Sequence, residues 1–304
     1  MAPAARRALN RPARWWWVLL PLATGCGGDG PPAGGLRGAL RVGDVTRTFV
    51  LYAPPAARRS AVAPLLLAFH GTGESGAAFR AVAGLDAVAA REGWVVVYPD
   101  AAVGNWAEGC GCTAADRLGV NDTGFVRALI DSVAARVPVD RGRIFAAGFS
   151  QGGLFVQRLA CDLAGHVAAV ASVAAPMSAV LAPRCAPGRA VSVMVLQGTL
   201  DDAYPYEGEG RGARAVLGAR AAAGFWRALN RCPDSRSVRE LPDTARDGTR
   251  VLEERWPGCD QATEVALVTV EGGHHAWSLS RDVRTAEMLA AFFLRAAPRR
   301  LLFP

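Results

Sequence analysis

Two stretches of this chain, Leu65-Leu66-Leu67-Ala68-Phe69 and Trp94-Val95-Val96-Val97-Tyr98, are apolar without a break. A strand with one wet face alternates apolar and polar residues, whereas an unbroken run suits a strand buried on both faces of a parallel sheet. Arg143 to Ala147, Ala168 to Ala174, Val191 to Leu196 and Glu264 to Val270 read as further strands, and Val45 to Ala53 as an early one. Helical spacing fills the intervals. Val126, Leu129, Ile130, Val133 and Val137 follow Asn121, a residue type that caps helix N-termini. Leu154 to Leu163, Ala213 to Leu229 and Val283 to Leu294 also fit helices. Strand and helix in alternation over this length predict a mostly parallel central sheet with helices on both faces. No repeat or second linker interrupts the pattern, so one domain over 38–300 is expected.

One segment joins the two periodicities and carries chemistry. Gly148-Phe149-Ser150-Gln151-Gly152 follows the apolar Ile144-Phe145-Ala146-Ala147 and leads into the helix at Leu154. This is the G-x-S-x-G pattern in its strand–turn–helix setting: the turn is sharp, and a side chain at either flanking glycine would meet neighbouring backbone. Read as a nucleophile elbow, it makes the fold an α/β-hydrolase and Ser150 the candidate nucleophile. A serine hydroxyl needs a base and the base an orienting acid, here in the chain order Ser, Asp or Glu, His. His166 lies at the end of the helix after the elbow. His274 and His275 stand in a glycine-rich loop past the last strand, where the base is expected. Asp201 and Asp202 follow the strand ending at Leu196, and spacing alone leaves either as the acid. An oxyanion hole needs two backbone N–H groups. Gln151 should supply one and Thr72, in His70-Gly71-Thr72-Gly73, the other, with His70 ordering that loop.

The formal charge of +7 comes with 34 basic residues, all arginine. Arg6, Arg7, Arg11 and Arg14 precede residue 26 with no acidic residue among them, and no basic block interleaved with aromatics follows. Nucleic acid is therefore not an expected partner. Those arginines lead into the apolar Trp15 to Ala23, too short for a bilayer that needs roughly 20 residues, so residues 1–26 are expected to be a signal peptide. Thr24-Gly25-Cys26 is similar to a bacterial lipobox, whose cysteine is lipidated after cleavage, although Ala23 stands where that motif favours leucine. Ordinary cleavage with free secretion is the other expectation, and membrane association is expected only through a lipid on Cys26. Residues 27–37, rich in Gly and Pro, read as a flexible linker. Beyond Cys26, the six cysteines Cys110, Cys112, Cys161, Cys185, Cys232 and Cys259 read as up to three disulfides of an exported chain. Cys110-Gly111-Cys112 is tighter than usual metal-ligand spacing and no histidine is arranged around it, so neither a metal nor a cofactor is expected.

With these segments in order, the chain resembles the esterases grouped with polyhydroxybutyrate depolymerases, feruloyl esterases and acetylxylan esterases. The resemblance runs from about 40 to 295. It includes Leu65 to Gly71, Val97-Tyr98-Pro99-Asp100, Asn121-Asp122-Thr123-Gly124-Phe125, the serine elbow, Gly198-Thr199-Leu200-Asp201 leading to Tyr204-Pro205-Tyr206, and Gly272 to Trp277. It selects Asp201 as the acid and His275 as the base, and implies a disulfide between Cys232 and Cys259. Gln197, His274 and Ser278 depart from the family, which usually has histidine, glycine and proline there. His274 beside the base bears on the pocket rim and so on substrate choice. The resemblance implies a serine esterase acting on small or oligomeric esters, either hydroxyalkanoate oligomers or feruloyl or acetyl esters of polysaccharides; with the leader and cysteines it is expected to be exported, and a monomer is expected. Trp106, Tyr206 and Trp277 are candidate pocket walls, with core or loop anchoring as the other reading of each. An acyltransferase on the same triad, or a non-catalytic surface-binding lipoprotein, are the alternatives.

Overall fold

The computed structural model describes residues 34–212 and 214–297. The expected signal peptide, Cys26 and most of the expected linker lie outside the described residues. The chain opens with two strands, β1 (Leu36–Val42) and β2 (Val45–Tyr52). There follow α1 (Pro55–Arg59), β3 (Ala63–Phe69), α2 (Gly76–Ala83), α3 (Leu85–Glu92), β4 (Val95–Pro99), α4 (Ala114–Arg117) and α5 (Asp122–Ala134). The middle consists of β5 (Val139–Phe149), α6 (Gln151–Asp162), β6 (Ala169–Val173), β7 (Met177–Ser178), β8 (Ser192–Gly198), β9 (Gly208–Glu209) and β10 (Val216–Leu217). The last part holds α7 (Ala219–Leu229), β11 (Ser237–Glu240), β12 (Arg250–Trp256), β13 (Val265–Glu271) and α8 (Thr285–Ala296).

Ten strands form the main sheet in the order β1-β2-β4-β3-β5-β6-β8-β13-β12-β11. The pairs from β4 through β13 are parallel, and β1, β2, β12 and β11 extend both ends antiparallel. The unbroken apolar runs are explained by the two faces they serve. Leu65, Leu67 and Phe69 of β3 join one buried cluster, with Phe125 of α5, Phe155 of α6 and Trp226 of α7. Leu66 and Ala68 point the other way, into a cluster with Phe79 of α2, Val88 of α3 and Phe293 of α8. Both faces are dry, so no polar alternation survives in the central strands. The α5 cap is the expected one, with Gly124 N–H donating to Asn121 Oδ1 at 2.8 Å.

The structure corrects two boundaries. β1 takes Leu36 and Arg37 out of the stretch expected as linker, because Leu36 pairs with Leu51 and Arg37 with Val50. The helix expected from Ala213 begins only at Ala219, because Val216 and Leu217 pair with β7 and β9 in a small second sheet. β11 and β12 carried no strand signal. Glu253 and Glu254 of β12 are buried acidic residues, held by Arg239, Arg295, Arg220 and Arg236, and this hides the strand's apolar pattern.

The six cysteines close as Cys110–Cys112, Cys161–Cys185 and Cys232–Cys259. The latter two close loops with sequence separations of 24 and 27, long enough to restrict the unfolded chain by roughly 3 kcal/mol each on a chain-entropy estimate. Among the described residues, no helix is long and apolar enough to cross a membrane.

Candidate active site

Because the central strands are parallel, the loops that follow them gather at one edge of the sheet, where open α/β folds bind ligands. The loops after β3, β4, β5, β8 and β13 bring Thr72, Glu108, Ser150, Asp201 and His275, respectively, to that edge.

The elbow is backbone geometry first. Ser150 sits at φ 55° and ψ −127°, a region that a non-glycine residue occupies at a cost. Ser150 N–H donates to Val173 O at 2.9 Å, which holds the turn against β6. A Cβ on Gly148 would lie 2.1 Å from Gly152 O, and one on Gly152 would lie 2.5 Å from the carbonyl oxygens of Phe69 and His70. The first contact lets strand and helix meet at the turn. The second lets the helix start press on the end of β3.

His275 Nε2 lies 3.0 Å from Ser150 Oγ. On the other side of the ring, Nδ1 lies 2.9 Å from Asp201 Oδ2 and 3.0 Å from Oδ1. Asp201 is 4% exposed, and its carboxylate accepts from Ala203 N–H and Tyr204 N–H at Oδ1 and from Gln197 Nε2 at Oδ2. Asp202 is exposed, His274 is exposed, and His166 lies in the turn after α6, so none of these three stands in the alternative position that spacing left open. Gln197 Nε2 also donates to Tyr204 O at 2.7 Å, tying the end of β8 to the Asp201 turn. Gln197 was visible in the sequence as a departure from the family, without a sign of what it holds.

Thr72 and Gln151 line the same cleft as Ser150, a cavity of about 550 Å³. As the first residue of α6, Gln151 has no intrahelical acceptor for its N–H, and Thr72 N–H has no protein acceptor among the described residues. The Gln151 side chain is spent elsewhere: it accepts from Trp106 N–H and donates to Trp106 O, fixing the loop after β4. His70 is fully buried. Its Nδ1–H donates to Gly71 O at 2.7 Å and its Nε2 accepts from Ala101 N–H at 3.1 Å. Burial lowers its pKa, in keeping with a neutral ring that orders the Thr72 loop.

Three pocket-wall expectations are corrected. Trp106 is fully buried, stacks on Phe155 with ring centroids 5.2 Å apart, and donates its indole N–H to His70 O. Tyr206 shares a 2.7 Å hydrogen bond with Thr269 Oγ1 across to β13. Trp277 donates to Ala83 O and packs edge-on against Phe79. Each spends its polar atom inside the protein, so these aromatics anchor loops to the core instead of facing the cleft. The walls are more polar: Glu108, Thr113, Arg117, Tyr204 and Arg214. Sequence reading passed over Tyr204 as a site residue, although its neighbour Tyr206 was singled out. Glu108, Cys110 and Cys112 bring atoms of metal-ligand type within 4.8 Å of one another, but the two sulfurs are bonded to each other, leaving one carboxyl.

Comparison with known proteins adds to this geometry. The family model described as esterase PHB depolymerase matches residues 47–201, just over half of the chain. The putative esterase NocK of Nocardia uniformis subsp. tsuyamanensis is 28% identical over 76% of this chain and 71% of its own. Feruloyl esterase B of Piromyces equi is 29% identical over 70% of this chain but only 40% of its own length. Among solved structures, the acetyl xylan esterase of Aspergillus awamori matches with a TM-score of 0.56 at 10% identity, over 81% of this chain and 93% of that one, a likeness of fold.

Proposed function

The chain belongs to the esterase family of the polyhydroxybutyrate depolymerases, and from that premise we propose that it hydrolyses carboxylic esters through an acyl-enzyme on Ser150. The observation that carries this reading is the continuous line from Ser150 Oγ through His275 to Asp201, with contacts of 3.0 and 2.9 Å. Neutral His275 takes the Ser150 proton at Nε2 as Oγ attacks the ester carbonyl carbon. Negative charge develops on the carbonyl oxygen, where the N–H groups of Gln151 and Thr72 receive it. Asp201 keeps the Nδ1 proton facing itself and stabilises the imidazolium. The tetrahedral intermediate collapses as Nε2–H protonates the departing alcohol. Water then enters, gives a proton to His275, attacks the acyl carbon, and Ser150 is regenerated with release of the acid.

The substrates are small or oligomeric esters of the kinds named by the family and its relatives: hydroxyalkanoate oligomers, or feruloyl or acetyl esters of saccharides. The protein works as a monomer, outside the cytoplasm, after removal of the leader at or near Cys26. Three disulfides support export, since such bonds persist in oxidising compartments. Intact mass of the mature protein distinguishes a lipidated Cys26 from free secretion.

The test is labelling with a fluorophosphonate followed by peptide mapping. We expect modification at Ser150 that disappears in His275→Ala. Absence of labelling in folded protein would leave an inert elbow and make the protein a binding module.

A further inference from the structure

Glu108 lies in the loop between β4 and α4 and lines the cleft that holds Ser150. It is 3% exposed, and its Oε2 is buried with no hydrogen-bond partner. Its Oε1 lies 3.8 Å from Cys112 Sγ, which is bonded to Cys110 and carries no proton to give. Among the described residues, the carboxyl therefore receives no N–H or O–H. A carboxylate buried this way would be costly, and the residue escapes that cost by keeping its proton.

The charged groups around it agree. Asp116 opposes a second negative charge. Arg158 attracts one, but its guanidinium is committed to Ala107 O, Asp162 and Asp116. Arg117, Glu209, Arg214 and Tyr204 share the cleft wall, and the Tyr204 ring lies 5.8 Å from that of His275. Burial, reinforced by Asp116, pushes Glu108 up to about 8. Burial, Glu108 and Asp201 together raise Tyr204 as well.

We propose that Glu108 determines specificity in this cleft: as a neutral carboxylic acid it donates a hydrogen bond to an uncharged oxygen of the substrate remote from the scissile ester. The ligand class is an ester with an ether, hydroxyl or carbonyl oxygen on its acyl or alcohol part, favoured over the plain alkyl ester of the same shape. This rests on the esterase reading above. An acid without protein partners in a substrate cleft gains nothing from the fold, and a substrate acceptor would complete it.

The test uses aryl esters in which successive methylenes of a hexanoyl chain are replaced by ether oxygen, and hexyl acetates altered in the same way on the alcohol side. Ether oxygen accepts and cannot donate, so Glu108 can hold it only when protonated, and the pH dependence of the ratio separates it from the other donors of the cleft. The quantity read is the ratio of kcat/KM for the ether ester to that for its alkyl parent, which cancels the pH dependence of the shared chemistry. For at least one position in one series, we expect the wild-type ratio at pH 6.5 to exceed that of Glu108→Leu by roughly tenfold. It should fall towards the Leu value by pH 9.5, because kcat/KM reports ionisation of the free enzyme. Glu108→Gln, whose amide N–H still donates, should keep a raised ratio at both pH values. If Glu108→Leu does not fold, the wild-type and Gln pH profiles decide alone. Ratios that do not change with pH in wild type, in both series, overturn the proposal. Fluorophosphonate labelling of Ser150 is run alongside: flat ratios in a protein that labels refute only the role of Glu108, whereas loss of labelling refutes the esterase reading with it.

Discussion

Two carboxyls are buried at this site, Asp201 behind His275 and Glu108 in the cleft wall, and their surroundings treat them in opposite ways. Asp201 and Glu108 are 4% and 3% exposed, so burial does not separate them. Asp201 is ringed by donors, two backbone N–H groups and the Gln197 amide, and faces His275. Among the described residues, Glu108 has no N–H or O–H directed at it, and it has Asp116 for a neighbour. Donors keep a buried carboxylate charged, and their absence keeps a buried acid neutral. The site thus holds one carboxyl set among donors behind the reacting groups and, at Glu108, one in the cleft wall that none of the described donors faces.

The comparison can be broken most sharply at Asp201. Asp201→Asn keeps the shape but turns an acceptor into an amide, and should lower kcat by a factor on the order of 10⁴, with the neighbouring Asp202→Asn close to wild type. Steady-state rates on one aryl ester check both, and comparable losses from the two variants would show that the charge at Asp201 is not special.

A second difference should appear in stability. Glu108 has its folded pKa raised from 4.5 to about 8. Its stabilising contribution is therefore fully present below about pH 4.5 and is lost as pH rises through 8, since the unfolded chain releases the proton first. Glu108→Gln has no proton to lose. Its advantage over wild type in denaturant unfolding should grow by a few kcal/mol between pH 4.5 and 8.5. An advantage independent of pH would mean that Glu108 is charged in the folded protein.

The smallest effect is expected at Gln197. Its Nε2 donates to Asp201 and to Tyr204 O, while its Oε1 is buried without a partner, so the side chain contributes only its N–H. Gln197→Met should reduce kcat roughly tenfold with little change in KM, by loosening Asp201 without touching substrate. A change confined to KM would place Gln197 in substrate binding instead.

Much of this is legible in the sequence, and the residues show why. The runs at 65–69 and 94–98 announced central strands because both of their faces are dry. β12 gave no such signal, because Glu253 and Glu254 are buried through arginines that lie elsewhere in the chain. The aromatics of the site misled for a related reason: composition shows that Trp106 and Trp277 are large and amphipathic, but not that His70 O and Ala83 O take their N–H groups.

What the sequence determined by itself is what contiguous residues decide. A strand, a serine in a sharp turn flanked by Gly148 and Gly152, and a helix behind form one local unit within 139–162. The tertiary structure decided everything that depends on residues far apart in the chain meeting in space. His275 reaches Ser150 across 125 positions, and Asp201 across 74. Which aspartate faces the ring, and which buried acid is left without a donor, follow from how parallel strands deliver their loops to one edge. No run of neighbours records that, because the energy of a buried charge is set by the groups packed around it and not by those bonded beside it.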